Sequence, residues 1–157
     1  MVVRAVADGT IGPFAGCHNA ASNGAGSTGW FLQKSPGNKF QLNSYDQTGY
    51  YMSTISPSAF TTGYYFLSIG WDGERWNLTF SRADGGVESV ESTYGFSPCM
   101  TKKFTVGKYS YNNPTFLSDG NEVLYCAAYS RYQSASERVR AYSYLKSLMA
   151  GRGVTVA

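Results

Sequence analysis

The sequence predicts a two-sheet antiparallel β-sandwich with one helix at its C-terminal end. Eighteen glycines, thirteen tyrosines and only 15% charged residues depart from average usage toward turn-rich, aromatic β structure. About nine short apolar or alternating segments follow one another at hairpin spacing, punctuated by Gly, Pro, Asn and Asp. Convincing helical periodicity occurs only after residue 133. A length of 157 residues suits one domain, 1–157, with no linker and no internal repeat.

Val2 to Ala7 reads as an N-terminal strand. Residues 8–29 are rich in Gly, Asn and Ser and read as the least structured stretch. They form either a long ordered loop, the favoured reading, or an arm that orders against a neighbouring subunit. Trp30 to Lys34 is a strand that stops at the turn Ser35-Pro36-Gly37-Asn38. Phe40 to Tyr45 alternates, and Tyr50 to Ile55 ends at Ser56-Pro57. Tyr64 to Trp71 is nearly apolar throughout, which predicts a central strand buried on both faces. Asp72-Gly73 is a hairpin signal, because both residue types tolerate positive φ. Its partner, Arg75 to Ser81, places Trp76, Leu78 and Phe80 inward and Asn77, Thr79 and Ser81 outward. Asp84-Gly85-Gly86 turns into Val87 to Thr93, and Phe104 to Tyr109 and Val123 to Tyr129 complete the strands.

Ser134-Ala135-Ser136-Glu137 has the form of a capping box, in which the Ser hydroxyl and the Glu carboxylate each accept from the other's amide. Val139, Tyr142, Leu145 and Met149 then recur at helical spacing, flanked by Ala135 and Leu148, and predict the buried stripe. Lys146 and Arg152 lie near the negative end, and Gly151 or Gly153 takes the left-handed stop.

This C-terminal stretch resembles the end of laminin-G-like domains of the concanavalin A-like type. The likeness is carried by Tyr129-Ser130-Arg131-Tyr132-Gln133-Ser134 and the amphipathic helix closing on Arg152-Gly153. Phe104 to Gly107 and Tyr65 to Gly73 resemble further strands of that family, so the likeness covers roughly residues 60–153. The resemblance implies an all-β jelly-roll sandwich and a non-catalytic interaction module. Stand-alone domains of this kind are frequent among phage structural proteins. The implied role is therefore a virion subunit, decorating a capsid, forming a turret or attached to a tail. Its implied partners are other coat or tail proteins, further copies of itself in a homo-oligomer, and host glycans. A soluble carbohydrate-binding lectin is the alternative, and a glycoside hydrolase a distant third.

The chemistry is bounded by what is absent from the sequence. The net charge of +3 is small and the thirteen Lys and Arg are scattered, which argues against nucleic acid as a partner. No apolar run approaches the roughly 18 residues of a membrane span, and Met1 to Asp8 is too short and too early in acid for a signal peptide. The expected location is the virion, after synthesis in the host cytoplasm.

Glycosidases of sandwich fold use two carboxylates at fixed separation. Here Glu88 and Glu91 are three apart, on opposite faces of a strand, and Asp72 and Glu74 flank a turn. His18, the single histidine, sits beside Cys17 and is a poor basis for a thiol nucleophile. Cys17, Cys99 and Cys126 show no zinc spacing; three reduced thiols are the favoured reading and a disulfide among them stays open.

No cofactor is expected. Calcium, which many laminin-G-like domains hold, would have Asp119 and Asn121 as its candidate ligands, though Asp-Gly-Asn is more often only a turn. Exposed aromatics and amides are the candidate contact surface, for protein or for glycan: Tyr109, Tyr111, Asn112 and Asn113 in the most loop-like stretch, with Tyr50 and Tyr51. Tyr45 and Tyr64 belong to the same wider set. Asn77-Leu78-Thr79 has the form of a glycosylation sequon, read as accidental on a strand.

Overall fold

A computed structural model describes residues 1–19, 28–45, 51–72, 75–92, 104–107, 120–129 and 131–157; the side chains of residues 18, 19, 28, 51 and 52 are outside the description. The strands are β1 (Val2–Ala5), β2 (Gly12–Asn19), β3 (Thr28–Lys34), β4 (Phe40–Tyr45), β5 (Tyr51–Ile55), β6 (Gly63–Trp71), β7 (Trp76–Ser81), β8 (Val87–Glu91), β9 (Thr105–Val106) and β10 (Glu122–Tyr125). They precede one helix, α1 (Ala135–Ala150). Two antiparallel five-stranded sheets form, in the orders β10-β1-β6-β7-β8 and β5-β4-β3-β2-β9. The expected sandwich with a C-terminal helix is therefore the fold, and β6 is the middle strand of its sheet.

Between the sheets, Phe40 is the hub of an aromatic core. Its ring stacks on Phe60 at 4.7 Å and meets Tyr65 edge-on at 5.3 Å, with Phe80 and Phe14 at 6.0 and 6.1 Å. Val3, Leu32, Leu42, Leu67 and Leu78 fill the space around these rings. Each fully buried apolar side chain contributes roughly 1.5–3 kcal/mol.

Alternation along β6 gives the sheet a second buried face. Tyr65 and Leu67 point into the sandwich, while Tyr64 and Phe66 point out, where Tyr142, Leu145 and Met149 of α1 cover them. Asn77, Thr79 and Ser81 do face outward, yet they are buried, because the helix layer roofs that face. Part of their polar surface is satisfied locally: Thr79 Oγ1 donates to Asn77 Oδ1 at 2.6 Å, and Ser81 Oγ accepts from the Phe66 amide at 2.9 Å, while the buried Asn77 Nδ2 has no partner among the described residues. With Asn77 only 2% exposed, the sequon has no room for a glycan on the folded chain.

The capping box forms as read: Glu137 N donates to Ser134 Oγ at 3.3 Å, and Ser134 N to Glu137 Oε2 at 2.8 Å. The buried stripe differs from the expectation. It runs through Arg138, Tyr142, Leu145 and Met149, and Val139 is 48% exposed. Gly153, at φ 75°, takes the left-handed conformation, whereas Gly151 stays right-handed. Past the helix, Val156 bridges Tyr64 in parallel and the Ala157 amide donates to Tyr64 O at 2.9 Å, adding the tail to the edge of β6.

A further expectation is corrected. The stretch from 8 to 29 is not irregular throughout, since residues 12–19 form β2, hydrogen-bonded between β3 and β9. Gly12, Pro13 and Gly16 mask its strand character in the sequence. Pro13 lies beside the register shift at Pro13/Ala15, where a missing amide donor is tolerated. At Gly16 a Cβ would lie 2.9 Å from Phe31 Cβ, so the glycine is required by close packing. Val123 to Tyr129 is shorter than expected as a strand, ending at Tyr125.

At one end of the sandwich an ion pair links the two sheets. Lys34, fully buried on the inner side of β3, donates from Nζ to Asp8 Oδ1 at 2.6 Å and to Val6 O at 3.0 Å. This ties the chain leaving β1 to the opposite sheet. The Lys34 hydrogen bond, aided by those from Thr10, holds the Asp8 carboxyl down at about 2.

Asp8→Asn is expected to cost about 3 kcal/mol in urea unfolding, because it strands a buried ammonium, and Lys34→Met less than that. Gly16→Ala is expected to cost about 1–3 kcal/mol through overpacking. Asp8 and Glu137 both titrate near 2 when folded, against ordinary values of 3.8 and 4.5. Between those limits the unfolded chain binds more protons, so their stabilisation is complete above pH 4.5 and is lost as the pH falls through about 2. Melting temperature plotted against pH should show that slope, shallower in Asp8→Asn.

Candidate binding cleft

At the end of the sandwich away from Lys34, β6 runs on to Trp71, past its last pairing with β1 at Val2↔Phe66. Met1 extends that pairing: its amine donates to Leu67 O at 2.7 Å, and burial pushes this group down to about 6. Beside the remainder of β6 lie residues 126–129 and 131–133, ahead of the helix, and a cleft of about 380 Å³ lies between. That size is at the lower end for a small-molecule site.

One wall is aromatic. The Trp30 ring lies 6.0 Å from Trp76 and 5.8 Å from Phe104, and Trp71 lies 6.4 Å from Trp76. The register explains the grouping. Trp71 pairs directly with Trp76 across the β6–β7 ladder, on the inner face, and Trp30 reaches them from β3 in the other sheet. Trp76 is buried, whereas Trp71 (39%), Phe104 (45%) and Tyr129 (62%) are exposed around the mouth.

The other side is polar at one point. Ser68 and Gly70 are the small residues of β6 on its outer face, and the Tyr132 ring lies over Gly70, 3.0 Å from where a Cβ would stand. Two arginines line the cleft. Arg131 donates through both Nη atoms to Glu137, at 2.6 and 3.1 Å, which is the main reason the Glu137 carboxyl is lowered to about 2. Arg138 has no such partner: among the described residues no carboxylate lies within 4.0 Å of it. It is 3% exposed, donates from Nη1 to Gln133 O and sits over the Tyr132 ring at 5.4 Å, with Nε unpaired. The described lining contains no Asp or Glu, and Cys126 contributes a free thiol.

No family model, curated protein or solved structure matches this chain.

Of the candidate contact and calcium residues singled out from the sequence, the described ones do not line this cleft. Tyr50, Tyr109, Tyr111, Asn112, Asn113, Cys99 and Asp119 lie outside the described residues. Tyr51 belongs to β5, at the opposite edge of its sheet from β9 and Phe104, and its side chain is outside the description. Tyr45 is buried and Tyr64 packs in the core under the helix, so neither is an exposed contact. Asn121 accepts from the Val6 amide through Oδ1 at 3.0 Å, so its carbonyl oxygen already serves the β1–β10 connection. Glu88 and Glu91 do lie on opposite faces of β8, opposite Phe80 and Asn77 respectively. The tryptophans were visible as strand residues, but their convergence depends on pairing between distant strands. Arg138 left one clue, a cation at a position of the helical stripe.

Trp76→Ala should destabilise by about 3–5 kcal/mol, as expected of a buried ring. Trp71→Ala should cost about 1 kcal/mol or less, because a rim ring has little packing to lose. Comparable losses for both in chemical denaturation would make the rim part of the core.

Proposed function

We propose that this protein is a non-catalytic interaction module of lectin-like fold, whose contact surface is the aromatic cleft at the Trp71 end of the sandwich. The supporting observation is the placement of Trp71, Phe104 and Tyr129. These large rings are exposed around one concavity. Partly exposed rings on rigid elements present contact area at little entropic cost and suit the apolar face of a sugar. The absence of carboxylates from the described lining favours holding a ligand over cleaving it.

The biological setting in the proposal is a virion surface, as a capsid-decoration, turret or tail-associated subunit that meets host glycans. That setting rests on the laminin-G-like resemblance of residues 129–134 and the helix behind them, and a soluble lectin would use the same cleft.

The isolated chain is expected to give specific signals on a glycan array that weaken at least tenfold in Trp71→Ala, and to co-sediment with assembled capsids or tails. Glycan signal without co-sedimentation moves the chain to the lectin reading. A signal indifferent to Trp71→Ala removes the cleft from the proposal, and absence of both signal and co-sedimentation ends it.

A further inference from the structure

We infer that the cleft selects an acidic sugar ring, a uronic or sialic acid at the end of a glycan or as a free monosaccharide, with Arg138 as the carboxylate-binding residue. The inference deepens the glycan-contact reading above and rests on it. Its basis is the unequal state of the two cleft arginines. Arg131 is neutralised by Glu137 through two hydrogen bonds, at 2.6 and 3.1 Å, whereas Arg138 is almost wholly buried with no carboxylate within 4.0 Å among the described residues.

A buried cation without a counter-charge is costly unless something compensates it. The Tyr132 ring and the Gln133 carbonyl compensate in part, but Nε remains without a partner. A guanidinium is a planar fork matched to the two oxygens of a carboxylate. The same cleft offers Trp and Phe rings for an apolar sugar face, and the Ser68 hydroxyl lies on its wall. A neutral sugar would use the rings and leave the cation as it is. An acidic one would use both, without competition from an acidic side chain of the described lining.

All three tryptophans lie around the cleft, so their fluorescence reads occupancy directly. The full chain is titrated with methyl glucuronide, N-acetylneuraminate, neutral methyl glucoside and benzoate. Saturable quenching by at least one acidic sugar, tenfold or more tighter than by methyl glucoside, is expected. The preference should collapse in Arg138→Gln and persist weakened in Arg138→Lys. In the wild-type protein, the Arg138 Nε–H resonance should move on adding the acidic sugar, which keeps the test independent of whether the variants fold. Equal affinity for acidic and neutral sugars, or an unmoved Nε–H signal, overturns the inference and leaves the glycan-contact reading standing. Benzoate binding with no sugar binding overturns both, and a preference unchanged in folded Arg138→Gln removes Arg138 from the role.

Discussion

The structure depends on β6 being asked to serve two interiors. Its odd-numbered residues Tyr65 and Leu67 complete the aromatic core between the sheets, and its even-numbered Tyr64 and Phe66 form the base on which the helix rests. A strand in that position cannot afford a solvated face, which is why its sequence is nearly continuous in apolar and aromatic residues. The helix, in turn, is held by contacts specific to this sheet. Tyr142 packs against Phe66 at 5.7 Å and donates its hydroxyl to Gly85 O at 3.0 Å, and Lys146 donates to that same hydroxyl at 2.8 Å. Val2 of β1 and Leu124 and Tyr125 of β10 join Phe66 beneath the helix, so the helix layer rests on several strands of this sheet with β6 at its middle.

Where β6 outruns β1, the same arrangement produces the cleft. Large inward residues, Ile69 and Trp71, alternate with small outward ones, Ser68 and Gly70, along its last four positions. One side becomes the aromatic wall and the other admits Tyr132 over Gly70. The tryptophan part of that wall is therefore built from strands of the core, with Phe104 added just before β9.

Period and punctuation made much of the fold legible in the sequence. The alternation in Phe40 to Tyr45 and Trp76 to Ser81, the capping box at Ser134 and Glu137, and the apolar run of β6 each report a local cause that the fold respects. Where local signals mislead, the reason is a neighbour distant in sequence. Gly16 reads as a loop residue because its purpose, admitting Phe31, lies in another strand. Thr79 and Ser81 read as solvent-facing because nothing local announces the helix above them. Arg138 occupies the core stripe, yet a search for apolar periodicity passes over it to Val139. The cleft was the least legible feature, since Trp30, Trp71, Phe104 and Arg138 converge only through sheet order and the sheet-to-sheet packing.

The tail beyond the helix has a consequence for the backbone edge that β6 would otherwise leave bare. Val156 is almost fully buried, and Ala157 hydrogen-bonds the backbone of Tyr64, where β7 no longer runs alongside. Those last residues act as a plug over a stretch of unpaired strand edge, the kind of edge that recruits foreign β-strands when bare. Trimming the chain at Val154 would uncover a sticky backbone seam next to the helix base, and the shortened protein would tend to polymerise edge to edge.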